Sequence, residues 1–582
     1  MKKIGMTKHR HGSLMKWNLL KKVPKKQREK FPELPETALQ LLWNRGITTH
    51  EAVDEFLNPH WEEDVHDPFL FNDMERAVER IDRALQNAER ITVHGDYDAD
   101  GVSGSVILFE TLSKLGATVD VYLPHRETEG YGVSDKAVEY LKEKGTGLII
   151  TCDCGISSNA AIVRANELGI DVIVTDHHSM PPRLPPAFAI LHPQREGERY
   201  PWRWLAGGGV AFKLAQALVR RSKERARIPK PDTFEKWLLD MVAISTVADM
   251  VPMLGENRTL VRYGLVVLTK TRRLGLRELY QIMNLRSDVS VETISFQIAP
   301  RINAAGRLDH ANAAVALLLE HDRNKAHELA LNLDATNRDR QAMTEIIAKE
   351  ALAQVVDQQD EPVLIARRDD WPLGMVGLVA GRVMDRYQKP TLLFTQHMGR
   401  LSASGRSTKA FDMIGALHSL DAYLEKYGGH PQACGLSLKP ETEFDVFIKK
   451  IRARAAAGAK SSAGEPSRDV DAEIKLADVT WDLWETLSKF EPFGVGNPAP
   501  TYLIRGIRVD ECQPVGSDGK HARLAVSDGE IKAKIIAFGF AETCAKTATP
   551  GTRLDVLVRL SQNVWNGNRE LQLQLVDFCP AV

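Results

Sequence analysis

The sequence predicts an α/β protein built in parts: a parallel-sheet domain, a long connecting helix, a second α/β domain and a small C-terminal β-barrel. Three observations predict it. Short β-rich runs alternate with helix-like segments between residues 90 and 180, a helical period runs from about 312 to 356, and successive alternating strands fill the C-terminal end. At 582 residues the chain is too long for a single core, which implies about three or four domains.

Composition narrows the class. Hydrophobic content of 43% and charge of 26% are those of a globular protein. No run of about 18 apolar residues is present to span a membrane. A net charge of -1 gives no global polyanion signature, so a nucleic-acid partner would need a local basic groove. Six cysteines without a regular framework fit a reducing cytosol, hence a cytoplasmic protein. Cys152 and Cys154 lack a nearby second pair to complete a zinc tetrahedron and read as buried thiols.

Taken in order, residues 1–60 form a basic N-terminal segment and lead-in. Residues 1–30 hold eleven Lys or Arg and one acid but no apolar signal-peptide core, and read as a solubilising tail or an electrostatic aid to polyanion binding. Met6 and Met15 are further candidate starts. Residues 61–310 carry the catalytic domain. Its strands are ITVHG, TVDVYLP, GLIITCD and DVIVTDH, separated by SGSVILFETLSKLG, VSDKAVEYLKEKG and SSNAAIVRANELG, a pattern that demands a parallel sheet with helices on both faces. Helices follow over 206–250, and Asp249 closes one of them ahead of Pro252.

Residues 311–357 form the connecting segment, one long helix or two with a break. Mixed strands and helices return over 358–452, with Gly-rich turns at GMVGLVAGR, SASGRS and YGGHPQACG. ARAAAGAKSSAGEPSRD, residues 453–469, is low in large apolar residues and reads as a linker. From 470 to 582 five alternating strands, the last two joined through Asn566-Gly567, predict a barrel of the oligonucleotide-binding (OB) type. Phe493, Tyr502 and Trp565 are candidates to stack bases there, although core packing suits each as well. Lys520, Arg523, Lys532 and Lys534 are candidates for phosphate contacts.

The chemistry sits in HGDYDADG, residues 94–101. Read from Asp96 it opens like a calcium-binding EF-hand loop, but the bidentate glutamate required at loop position 12 is replaced by Ile107, and a β-rich run rather than a helix leads into it. His94, Asp96, Asp98, Asp100, Asp153, Asp176, His177 and His178 all fall at or just after strands, where open parallel sheets gather ligands. So many carboxylates on one rim repel one another unless divalent cations sit among them. Oxygen-rich sites with a few imidazoles suit Mn2+ or Mg2+ better than zinc. Two such ions about 4 Å apart activate water and steady a phosphoryl transition state, so phosphoester hydrolysis is the natural reaction class.

These motifs, with RINAAGRLDH and the terminal barrel, carry a resemblance. The chain is similar to the DHH phosphoesterase superfamily and, within it, to the single-strand-specific 5′ to 3′ exonucleases of the bacterial RecJ family, from about residue 60 to the end. The resemblance implies a DHH domain, a DHH-associated domain and an OB barrel. It also implies two Mn2+ or Mg2+ ions, one held by His94, Asp98 and Asp153, the other by Asp100, Asp153, His177 and Asp249. His178 would face the scissile phosphate, while Asp96 and Asp176 orient the metal ligands. Arg126, Arg301, Ser404 and Arg406 would receive a 5′-phosphate, and Gly428, Gly429 and His430 would meet the strand. Also implied are a monomer acting on single-stranded DNA in recombination and repair, and single-strand-binding protein and helicase partners. Two other readings stand beside it: a DHH oligoribonuclease or nucleotide phosphatase, which is typically shorter and lacks the barrel, and a non-catalytic single-strand-binding scaffold.

Overall fold

The computed structural model describes residues 4–8, 14–223, 228–285, 288–462, 467–516, 519–565 and 568–581. They divide into two compact units, His60–Ser461 and a second made of Met1–Pro59 with Ser462–Val582. Among the described residues no helix is long and apolar enough to cross a membrane.

The first unit is organised by a five-stranded sheet of β1 (Arg90–Gly95), β2 (Thr118–Tyr122), β3 (Thr146–Cys152), β4 (Asp171–Thr175) and β5 (Ala189–Leu191). The spatial order is β2-β1-β3-β4-β5 and every pairing is parallel. Parallel strands are covered on both faces, which is why these segments read as continuous apolar runs. Alternation along β3 shows it: Leu148, Ile150 and Cys152 join the core beneath helices Ala99–Lys114, Gly207–Lys223 and Leu239–Ala248, while Ile149 joins the opposite one with Val138 and Ile162. In this strand order the direction of winding reverses between β1 and β3, and ligands bind in the crevice outside that point.

The connecting segment is two helices, Asn312–Leu319 and the 33-residue Arg323–Val355. The second starts where the Asp322 side chain accepts from the Lys325 N–H at 2.9 Å. Beyond it a second sheet runs in the order Leu424–His430, Ala433–Leu438, Arg400–Arg406, Thr391–His397, Leu364–Arg367. The expected linker at 453–469 is a correction. Its first part belongs to helix Phe444–Ser462 and its last to strand Ser467–Val470, with 463–466 outside the described residues. Alanine-rich sequence without large apolar residues resembles a linker by composition, yet alanine is the best helix former, and it extends a helix whose Phe447, Ile448 and Ile451, with Ala455, are buried in the core.

In the second unit, Tyr502–Val515, His521–Asp528, Ile531–Ala537, Asn568–Pro580 and Arg553–Trp565 pair in that order, and the last pairs back with the first to close a barrel. The Asn566-Gly567 turn lies outside the described residues, although Trp565 and Asn568 on either side are register partners. Nothing of the Trp565 side chain is described. Tyr502 is 0% exposed and packs in the core, so it cannot stack a base. Phe493 is half-buried, whereas Phe538 is 53% exposed with its ring edge-on to His521 at 5.4 Å. Of the candidate phosphate contacts, Lys534 is paired with Glu570 at 2.9 Å and Arg523 is hydrogen-bonded to Gln513 at 2.7 Å.

The N-terminal segment departs from a solubilising tail. Strand Leu14–Leu19 pairs in parallel with Ser467–Val470, and Trp17, 1% exposed, donates through Nε1 to Asp577 Oδ2 at 2.9 Å. No local pattern reads such a contact, because its partner lies at the far end of the chain. Trp17→Ala is expected to cost about 3–5 kcal/mol, the toll of emptying a large buried aromatic site. A denaturant titration followed by barrel fluorescence checks this, and a midpoint unchanged from the parent protein would show that the segment is only draped on the barrel.

Candidate active site

The site is built where β1 and β3 end. After β1 the chain turns at Asp98, whose Oδ1 accepts from the N–H groups of Asp100 and Gly101 at 3.0 and 3.2 Å and caps helix Ala99–Lys114. Asn303, from the RINAAGRLDH stretch, caps the same end by accepting from the Ala99 N–H at 2.7 Å. Asp100 points into a cradle: it accepts from the N–H groups of Gly207 and Gly208 at 2.8 and 2.7 Å and from Ser245 Oγ at 2.6 Å. These glycines open helix Gly207–Lys223, so its unsatisfied N–H groups face an anion. Glycine is required here: a Cβ on Gly207 would stand 2.5 Å from the Asp153 Cβ, and one on Gly208 would stand 2.6 Å from Ser245 Oγ.

At the end of β3, Asp153 has φ +61°, a left-handed conformation that aspartate tolerates and that turns its carboxylate onto the rim. After β4, His177 Nε2 lies 3.0 Å from Asp153 Oδ1 and 3.6 Å from both Asp100 Oδ2 and Asp249 Oδ2. Asp249 caps the C-terminal end of helix Leu239–Ala248. Three groups therefore converge with donor atoms within 4.8 Å of one another: Asp100 with His177 and Asp249, Asp96 with Asp98 and Asp153, and Asp153 with His177 and His178. Asp153 belongs to two of them.

The donor set fits divalent cations. His94 Nε2 and Asp96 Oδ1 are buried without a hydrogen-bond partner, an arrangement that leaves donor atoms free for a metal. Burial first, and then the neighbouring carboxylates, raise the pKa values of Asp96, Asp98 and Asp153 and push Asp249 up to about 8. Burial drives His94 down to about 4, so its imidazole is neutral, the form that ligates metal. The second expected ligand set, Asp100, Asp153, His177 and Asp249, is drawn together. Of the first, Asp98 and Asp153 converge together with Asp96, while His94 Nδ1 lies 3.7 Å from Cys154 Sγ and its Nε2 is buried without a partner.

Asp176 orients its neighbours. It accepts from the N–H groups of Ile156, His177 and His178 and from His178 Nδ1, at 2.9, 2.7, 3.1 and 2.9 Å. Burial alone would favour a neutral His178, but the Asp176 bond and charge outweigh it and push its pKa up to about 9. Tyr131, which sequence reasoning missed, places its OH 2.9 Å from His178 Nδ1. Gly207, Gly208, Ser245 and Asn303 were missed as well. The Gly-Gly-Gly run at the start of a helix was the one local signal that pointed to them.

Beside the rim lies a cleft of about 890 Å³ lined by Tyr97, Arg126, Gly374, Ser404, Gly428 and Gly429, among others. Arg126 stacks over the Tyr97 ring at 4.6 Å. Arg406 Nη1 donates to Gly405 O, and Arg307 Nη1 to Gly374 O, each at 2.8 Å. Among the described residues no carboxylate lies within ion-pair distance of Arg126, Arg307 or Arg406. Burial first, then the charges of Arg126, Arg340 and Arg406, bring Arg307 down to about 9. Such crowded, unpaired guanidinium groups call for an anion.

Arg301 is a correction, since its guanidinium is committed to Asp334 at 2.8 Å and to Gln297 O at 2.8 Å. Arg307, about a turn and a half further along the same helix, faces the cleft side instead. Gly428 has open space where a Cβ would be, but Gly429 is glycine for the neighbouring strand: φ is +132° and a Cβ would sit 2.2 Å from Ala433 O. His430 is exposed at the hairpin end and does not line the cleft.

Comparison with known proteins agrees with this geometry. The DHH family N-terminal domain matches residues 90–246, the DHHA1 domain 360–457 and the RecJ OB domain 470–577. The single-stranded-DNA-specific exonuclease RecJ of Bacillus subtilis (strain 168) is 35% identical over 576 residues, covering 97% of this chain and 71% of its own. The chain belongs to the RecJ family. The Escherichia coli (strain K12) RecJ is 31% identical, with 94% of this chain and 96% of that one covered. A crystal structure of RecJ in complex with Mn2+ from Thermus thermophilus superimposes with a TM-score of 0.81 at 30% identity, covering 97% of this chain and 80% of that one. A second, with Mg2+, gives a TM-score of 0.75 at 28% identity, covering 97% and 78%. The family's metal complexes thus hold the two cations that the oxygen-rich donor set favours.

The cradle of Asp100 makes a test of the site. Gly208→Ala is expected to push Ser245 and Asp100 apart, costing about 1–3 kcal/mol by overpacking and lowering nuclease turnover at least about tenfold. Thermal melting and steady-state rates read the two effects, and full activity in this variant would show that Asp100 needs no fixed position.

Proposed function

We propose that this chain is a single-strand-specific DNA exonuclease that depends on two divalent cations, Mn2+ or Mg2+, and releases 5′-mononucleotides from the 5′ end during recombination and repair. The observation that carries the reading is the convergence of metal donors at the sheet's switch point, beside a cleft lined by Arg126, with Arg126, Arg307 and Arg406 lacking acid partners among the described residues. The named relatives are single-stranded-DNA-specific exonucleases, and the solved RecJ structures hold Mn2+ and Mg2+.

When bound, the cations lower the pKa of a coordinated water and offset charge on the phosphoryl oxygens. The chain's own residues do the rest. Asp100, Asp153, His177 and Asp249 would hold one cation, and Asp98 and Asp153, with Asp96 or His94, would hold the other. Gly207, Gly208 and Ser245 fix Asp100, and Asp176 fixes the DHH histidines. His178, kept cationic by Asp176, stabilises charge that develops on the scissile phosphate. Arg126, Arg307, Ser404 and Arg406 seat the terminal 5′-phosphate, and Gly428 allows the backbone of the strand to approach. The reading extends to a cytoplasmic monomer working with single-strand-binding protein and a helicase, supported by the family resemblance and the unpaired cysteines.

The test is digestion of a long single strand labelled at its 5′ or 3′ end, with Mn2+, Mg2+ or EDTA. The 5′ label should leave first, as a mononucleotide, and EDTA should stop its release. Earlier loss of the 3′ label would refute the polarity, and activity in EDTA would refute the metal site.

A further inference from the structure

The rim of the site carries apolar surface that the chemistry above leaves unused. Immediately after Asp249 the chain turns at Met250, whose φ of +59° throws its side chain outward, 69% exposed. Beside it runs the segment that leads to the Gly207-Gly208 cradle, and Trp204 in that segment is 51% exposed. The two are stitched together from beneath: the buried Asn257 donates through Nδ2 to Trp204 O at 2.6 Å and to Pro252 O at 3.0 Å. An indole this exposed is costly to present to water, and its backbone is held in place rather than left loose.

Position along the site decides what would cover it. Arg126 and Tyr97 stand at the Asp96 and Asp98 end. His177 joins Asp153 at 3.0 Å to Asp249 at 3.6 Å; Met250 directly follows Asp249, and Trp204 comes three residues before Gly207, whose N–H holds Asp100. A strand whose 5′-phosphate sits among the arginines at the Asp96 and Asp98 end would carry its bases on the 3′ side of the scissile bond toward the Asp249 end, where Met250 and Trp204 stand exposed.

We infer that Trp204, flanked by Met250, is a stacking platform for a base on the 3′ side of the scissile phosphate, and that it positions the strand between turnovers. This rests on the exonuclease reading. An aromatic face stacks any base without reading its edges, which suits an enzyme that must digest every sequence.

The test uses 5′-phosphorylated oligonucleotides with one abasic nucleotide at the second, third, fourth or fifth position, and follows removal of the first nucleotide in a single turnover. With the parent enzyme, one abasic position should slow removal by about tenfold. Trp204→Ala should show a similar loss on the intact strand and no further loss when that position is abasic. Trp204→Phe should restore most of the rate. Trp204→Leu, apolar but without an aromatic face, should behave as the alanine variant and serves in its place if alanine disturbs the fold. The inference is overturned if the variant's loss is the same on every abasic strand, or if it digests intact DNA at the parent rate. Failure of the parent enzyme to release a 5′-terminal nucleotide would instead refute the exonuclease reading.

Discussion

Asp153→Asn is expected to lower nucleotide release by about a thousandfold or more, the loss of several kcal/mol of metal-derived stabilisation, while making the metal-free protein more heat-stable. Both effects come from one carboxylate. Asp153 is buried at the meeting of two donor groups, and burial followed by Asp100, Asp98, Asp96 and Asp249 opposes its ionisation. Removing that charge relieves repulsion in the chelated protein, and asparagine keeps both the shape and the left-handed backbone at φ +61°. Cation binding should stabilise the parent protein by about 2.7 kcal/mol at a hundredfold excess over Kd, and the variant by much less. Melting curves in EDTA and in Mn2+, run beside release of a 5′ label, decide it. A variant that gains as much from Mn2+ as the parent would remove Asp153 from the metal site.

Arg406→Ala should erase much of the preference for a 5′-phosphate over a 5′-hydroxyl end. Losing a charge-assisted contact of about 1.5–3 kcal/mol lowers the rate on phosphorylated strands about 10–100-fold and leaves hydroxyl-ended strands nearly unchanged. Arg307→Ala should act in the same direction, since its guanidinium also has no acid partner and crowds the same charges. Arg301→Ala should not, because Arg301 is spent on Asp334 and its loss leaves that buried carboxylate to the largely exposed Arg338 at 3.1 Å, lowering stability instead of end selectivity. Rates on the two kinds of end, measured for all three variants, separate these roles. Equal losses on both ends for Arg406→Ala would place it outside the phosphate pocket.

The alternative readings fare differently against the fold. A short oligoribonuclease or nucleotide phosphatase has no use for the barrel matched over residues 470–577. A silent scaffold has no reason to keep Asp96, Asp98, Asp100, Asp153, His177 and Asp249 in converging groups.

By itself the sequence determined the α/β class, four of the five strands of the catalytic sheet, the five strands of the barrel and most of the metal donors. These are legible because they are local: a strand declares itself by its apolar run, and HGDYDADG, TCDCG and TDHH each follow a strand directly. Only the tertiary structure decided which of similar residues does the work. Arg301 and Arg307 sit in one motif, yet Asp334, on a helix that starts at residue 323, neutralises the first and leaves the second free. Gly207, Gly208 and Ser245 become site residues only because the parallel sheet brings a helix N-terminus onto Asp100. Trp17 leaves its basic tail for a core because Asp577 waits at the other end of the chain. In each case the deciding partner is distant in sequence, and the charge, space or burial that it imposes leaves no periodic or compositional trace near the residue it governs.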